Sequence, residues 1–158
     1  MNQSESLPAN VALRGIDQSL PMALLKARET AMAQFRPMLR SHDLTEQQWR
    51  VIRILAAFPD IDAGEIVRRS YLLAPSLTRI LQHLEAQQIV RREADAEDLR
   101  RAYFRLTAKG RKLFERVSPD SELIYQRISE VFGQQKLDAL YRLLDEFAEI
   151  EASALQIP

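Results

Sequence analysis

Two short runs in this 158-residue chain have side chains of the types and spacing for chemistry with a polyanion. The first is Ser76, Thr78, Arg79, Gln82 and His83, interleaved with Leu77, Ile80, Leu81 and Leu84. A helix that buries the Leu/Ile stripe turns the polar set outward. Hydroxyls near a helix start can bond phosphates or base edges, and an Arg there can contact guanine through two bonds in the major groove. The plain alternative is a surface helix with ordinary polar exposure. The second run is a hairpin tip, residues 94–101, carrying Asp95, Asp98, Arg100 and Arg101. An Asp paired with an Arg inside a short loop fixes its direction, and a second Arg can then enter a narrow minor groove. The plain alternative there is a solvated charged turn.

Other chemistries lack their residues. There is no Cys, which excludes disulfides, thiol redox sensing and Cys-ligated zinc. The two His, His42 and His83, fall in different elements. No nucleophile–base pair, metal set or Gly-rich phosphate loop is present, so neither an enzyme nor a cofactor is expected. Formal net charge is zero, but its distribution is uneven: residues 68–112 hold 11 Lys and Arg against 5 Asp and Glu, and the remainder 11 against 17. A basic middle between acidic ends suits a chain that meets phosphates with one part only.

Periodicity supplies the elements that position these runs. A helix over 20–41 carries Leu24, Leu25, Ala31, Met32, Phe35, Met38 and Leu39, with Pro37 expected to kink it near Ala33. Arg28 lies within its apolar stripe. It either snorkels or pairs with an acidic neighbour, or serves as counter-ion to an acidic ligand. Thr45 and Gln48 form a capping box for a second helix ending at Phe58-Pro59-Asp60. Its Trp49 is either core or an aromatic wall, and His42 before it either a turn residue or a ligand contact.

Ile61 opens the reader as a short strand, Asp62 caps a helix over 63–70, and Tyr71-Leu72-Leu73 makes the turn. The polar helix follows over 74–87, then strands 89–93 and 102–106. Thr107 caps a helix to about 118, with a kink or break at Pro119. It resumes to Gly133 and a last amphipathic helix spans 134–154. The fold class is therefore mainly α with a small β-wing: a winged helix-turn-helix in an intertwined helical homodimer. Residues 1–18 read as a flexible arm, 19–60 and 108–158 as the dimerisation region, and 61–107 as the DNA-binding domain. The start of the chain lacks a basic, apolar leader and no run could span a bilayer, so a cytoplasmic protein without a membrane partner is expected.

This order of elements resembles the MarR family of dimeric winged-helix regulators. Asp98-Leu99-Arg100-Arg101 followed by Leu106-Thr107-Ala108-Lys109-Gly110 is similar to the family's D-x-R…L-T-x-x-G signature. The segments Ala27–Pro37 and Leu44–Arg53 look like the branch that represses homoprotocatechuate (4-hydroxyphenylacetate) degradation operons. Ala74-Pro75-Ser76-Leu77-Thr78 is similar to that branch's R-P-S-L-T, with Ala in place of Arg. The resemblance implies Arg100 in the minor groove, Asp98 orienting it, and Ser76, Thr78 and Arg79 facing the major groove. It also implies an aromatic-acid effector in a crevice bordered by Arg28, Phe35, His42, Trp49, Arg50 and Arg53.

The function expected is a repressor of an aromatic-catabolic operon, bound as a homodimer to a pseudo-palindromic double-stranded operator and released by a small aromatic acid. The alternatives are a MarR-type regulator of efflux, fatty-acid or antimicrobial-resistance genes, and a helical dimerisation protein that does not bind DNA.

Overall fold

The structure, a computed structural model, describes residues 15, 18–95, 98, 101–151 and 154. The chain divides into two compact units, residues 1–34 and 35–158. Helix α1 runs Leu20–Ser41 and stays helical through Pro37. Its first half exposes Leu20, Met22, Leu24 and Leu25. Its last turns carry Phe35 and Leu39 into the core of the larger unit.

Helix α2, Glu46–Ala57, starts where the sequence places it. Thr45 Oγ1 accepts from the Gln48 amide at 3.2 Å and Gln48 Oε1 accepts from the Thr45 amide at 2.9 Å. Two otherwise orphaned donors are thereby satisfied. Strand β1, Ile61–Asp62, leads into α3, Ala63–Ser70, and α4 follows over Ala74–Ala86. Tyr71, between them, takes a left-handed backbone at φ 53°. Strands β2, Val90–Ala94, and β3, Ala102–Leu106, form the hairpin, and β1 pairs with β3 to give the sheet order β1-β3-β2. The first hairpin strand is displaced one residue from its expected bounds, because Gln88 with φ 60° and the Ile89 bond to Leu84 keep those residues in the turn.

Helix α5, Ala108–Phe132, is one 25-residue helix that runs through Pro119, so of the kink or break expected there it has no break. Proline removes one helical donor, but Val117 and Ser121 on either side of it are buried and pin the axis. Ser118 Oγ donates to the Phe114 carbonyl at 2.7 Å. Gly133 ends the helix at φ 96°. Helix α6, Gln134–Ala148, stops six residues short of the expected end. Asp145 and Glu146 occupy its last turn without a basic residue there, Glu149 is its C-cap, and negative charge opposes the helix dipole at this end.

The core of the larger unit joins α2, α3, α4, the sheet and the start of α5. Leu39, Ile52, Leu55, Ile66, Leu77, Leu84, Leu106 and Val117 are all almost wholly buried. Trp49 belongs to this core, its ring stacked on Phe114 at 5.7 Å between centroids. Gly110 lets α5 approach the wing: a β-carbon there would sit 2.1 Å from the Ile89 carbonyl oxygen. Thr107 completes the joint, its amide donating to Ile89 O at 3.0 Å and its hydroxyl accepting from the Gly110 amide at 3.0 Å. Among the described residues no helix is long and apolar enough to cross a membrane.

Candidate nucleic-acid interface and effector site

The outward face of α4 is built by its inward one. Leu77, Ile80, Leu81 and Leu84 are buried, which leaves Thr78, Arg79, Gln82 and His83 exposed and Ser76 half-buried. Leu73 precedes the helix and gives no side-chain cap, and Pro75 has no amide hydrogen. Thr78 Oγ1 donates its proton to the Ala74 carbonyl at 3.0 Å, so toward a ligand it presents an acceptor and a methyl group.

The cations around this face are not equivalent. Arg68 and Arg69 both pair with Glu65, and Arg69 also lies over the Phe58 ring at 3.9 Å. The hydrogen bond from Arg68 holds the Glu65 carboxyl below the usual carboxylate range. On the wing, Arg105 pairs with Asp60 and with Glu93, and Arg91 pairs with Glu93. Among the described residues Arg79, Arg92 and Arg101 are exposed and have no acidic partner. These three can neutralise phosphate charge without first breaking an ion pair.

The tip of the wing is tied by Asp95. Its carboxylate accepts from the Tyr103 hydroxyl at 2.9 Å and from the Asp98 amide at 3.2 Å. Asp98 is exposed. Arg100, expected in the minor groove, lies outside the described residues. Asp95 was read from sequence only as part of the charged tip and Tyr103 was not singled out; their signal was an Asp just past the end of one strand and an aromatic near the start of the next.

The effector candidates separate into groups. Phe35 on α1 and Arg53 on α2 meet at Tyr125 on α5, which the sequence reading did not single out. Phe35 and Tyr125 rings are 4.9 Å apart, and Arg53 Nη1 donates to the Tyr125 hydroxyl at 3.1 Å. Arg36 pairs with Glu46 at the neighbouring helix start. His42 Nε2 lies 2.8 Å from Asp120 Oδ2, joining the α1–α2 turn to α5. Arg50 turns away and donates to the Ser70 carbonyl at 2.9 Å, at the end of α3. Trp49 is in the core with Phe114. Arg28, in the N-terminal unit, is exposed and pairs with Glu29 at 2.8 Å. Tyr125 also lines an open cleft of about 530 Å³ between α5 and α6, with Ser129, Leu137 and Tyr141. A guanidinium and a phenol hydroxyl side by side next to an aromatic face are groups able to bond a carboxylate and to face an arene. Among the described residues no group of three or more His, Cys, Asp or Glu is placed to hold a metal ion.

A profile of the MarR family matches residues 42–101. The homoprotocatechuate degradative operon repressor of Escherichia coli is 43% identical over 129 residues, covering 82% of this chain and 87% of that protein. Among solved structures, NadR in complex with 4-hydroxyphenylacetate is similar at a TM-score of 0.74 with 39% identity, covering 92% of this chain and all of that one. The repressor CouR, bound to a 23-mer DNA duplex, is similar at a TM-score of 0.79 with 27% identity, covering 85% and 95%.

Proposed function

The chain belongs to the MarR family of winged helix-turn-helix transcriptional regulators, and we propose that it is a cytoplasmic, homodimeric repressor of an aromatic-catabolic operon, released from its operator by a small aromatic acid such as a hydroxyphenylacetate. The observation that carries the ligand class is the Arg53–Tyr125 pair beside Phe35. Arg53 and the Tyr125 hydroxyl offer two donors to a carboxylate, and Phe35 and Tyr125 offer ring faces to an arene. That a protein 39% identical to this chain holds 4-hydroxyphenylacetate supports the same class here.

Residues 61–107 act as the DNA-binding domain. Ser76, Thr78, Arg79, Gln82 and His83 of α4 enter the major groove, and Asp98, Arg100 and Arg101 of the wing serve the minor groove. The helices outside that stretch, 19–60 and 108–158, form the dimer. Helix α6 supports this, since it buries no residue and exposes Leu140, Tyr141, Leu143, Leu144 and Phe147. A 15-residue helix with such a face is marginal alone and is stabilised by packing against a second copy.

The route from effector to reader is short. An acid held by Arg53 and Tyr125 touches α2 and α5. Arg50 links α2 to the end of α3, and Thr107 links α5 to the wing. A ligand shifts the spacing of the two readers only by its difference in affinity for the two arrangements. The test is fluorescence anisotropy on a labelled duplex spanning the intergenic DNA upstream of the gene. Salt-dependent binding that 4-hydroxyphenylacetate releases is the expected result. Binding that no hydroxylated aromatic acid alters would refute the ligand class.

A further inference from the structure

Arg101 sits inside a closed circuit of backbone bonds at the base of the wing tip. The Asp95 amide donates to the Arg101 carbonyl at 3.0 Å, and the Arg101 amide donates to the Asp98 carbonyl at 2.9 Å. The Asp98 amide returns to Asp95 Oδ1 at 3.2 Å. The amide and the carbonyl of Arg101 are therefore both held, one by Asp98 and the other by Asp95. The other carboxylate oxygen of Asp95, Oδ2, accepts from the Tyr103 hydroxyl at 2.9 Å.

Tyr103 is itself held in register. It lies opposite Glu93 in the β2–β3 ladder and opposite Asp62 in the β1–β3 ladder. Two residues along the same face of β3, Arg105 pairs with Asp60 and Glu93. Asp60, Glu93, Asp95, Tyr103 and Arg105 together line a small recess of about 280 Å³ at the neck of the wing. Tyr103 and Arg105 thus fasten one face of the neck, Tyr103 to the tip and Arg105 to the turn before β1. Arg101 is exposed and, among the described residues, has no acidic partner.

We infer that Tyr103 and Asp95 form a latch that presets the backbone of Arg101 for DNA, acting as positioning residues without touching the duplex. The inference rests on the reading of residues 61–107 as the DNA-binding domain. Without the latch the Arg101 backbone samples more states and loses that freedom on binding, which weakens affinity. With it, the cation is carried on a fixed backbone before the encounter. The hydrogen bond to Asp95 also pushes the Tyr103 hydroxyl above its ordinary pKa, which keeps the donor protonated at every pH at which the protein would meet DNA.

The test measures affinity for the upstream duplex at fixed salt for Tyr103→Phe, Asp95→Ala, Asp95→Asn and Arg101→Ala, with circular dichroism and thermal melting of each. Tyr103→Phe and Asp95→Ala are expected to weaken binding about tenfold, the size of one hydrogen bond to a charged group, with circular dichroism unchanged and melting lowered only by the lost hydrogen bonds. Asp95→Asn, which can keep an oxygen for the Asp98 amide and a partner for the Tyr103 hydroxyl, should stay within about threefold of wild type. The deciding readout is the cycle with Arg101. Once Arg101→Ala is present, Tyr103→Phe should cost almost nothing more. Losses that multiply independently overturn the latch, as does Tyr103→Phe binding like wild type or Arg101→Ala without effect. Absence of salt-dependent binding by the wild type would instead remove the DNA-reading function itself.

Discussion

Arg53 and Arg50 are three residues apart on one helix, yet they join it to different elements. Arg53 reaches Tyr125 on α5, while Arg50 reaches the carbonyl that closes α3. The first position is where an acid would be felt, and the second is where its effect would enter the reader. Arg53→Ala should therefore leave operator affinity near wild type and abolish release by 4-hydroxyphenylacetate, as read by anisotropy and calorimetry. Arg28→Ala separates the two cations on offer. Arg28 is half of an ion pair with Glu29 in the N-terminal unit, and its removal should leave the heat of binding close to wild type. On the reader, Arg79→Ala is expected to weaken operator binding by about 1–3 kcal/mol, and to relax selectivity at the base it contacts. Arg68→Ala, which removes a cation already paired with Glu65, should change operator affinity much less.

At the level of elements, the joint between wing and α5 has no slack. Gly110→Ala would drive a methyl group into the Ile89 carbonyl oxygen, at 2.1 Å. Overpacking of this kind is expected to lower stability by about 1–3 kcal/mol in urea unfolding. Thr45→Ala removes the capping box of α2 and should cost about 1 kcal/mol by the same measurement. The wing gives a spectroscopic prediction. The Tyr103 pKa is raised above 10.0, first by its hydrogen bond to Asp95 and then by that group's negative charge. A raised folded pKa means the stabilisation is fully present below the unfolded value. It is lost as pH rises through the folded one. An alkaline titration of tyrosinate absorbance should show one of the four tyrosines ionising late, and Tyr103→Phe should remove that late step.

At the scale of the larger unit, the proposed reader and the proposed dimer face differ in surface type. Among the described residues Arg79 on α4 and Arg92 and Arg101 on the wing are exposed without an acidic partner, while α6 exposes Leu140, Tyr141, Leu143, Leu144 and Phe147. On the function proposed above, the first set meets phosphates and the second a copy of the chain. Leu144→Glu should therefore shift the protein toward monomer in sedimentation velocity. It should also weaken operator binding, because one half-site per chain loses the second reader. Log affinity should fall linearly with log salt, with a slope near −0.9 per phosphate neutralised. The slope should become shallower by about one for each phosphate-contacting cation removed.

Much of this was legible from residue order. The apolar spacing of Leu77, Ile80, Leu81 and Leu84 determined which side of α4 faces outward, because a helix can bury only one stripe. Thr45, Asp62 and Thr107 marked helix starts, because each oxygen accepts from an amide within three residues of it. Such contacts are local, and local contacts are written in adjacent letters. Tertiary structure decided the rest. It chose Arg53 over Arg50 as the neighbour of Tyr125, 72 residues away, and placed Trp49 against Phe114. It kept α5 whole through Pro119. It also made Asp95, not only Asp98, the anchor of the wing. Partners fixed by packing between distant elements leave no spacing in the chain, and the site for an effector is made of such partners.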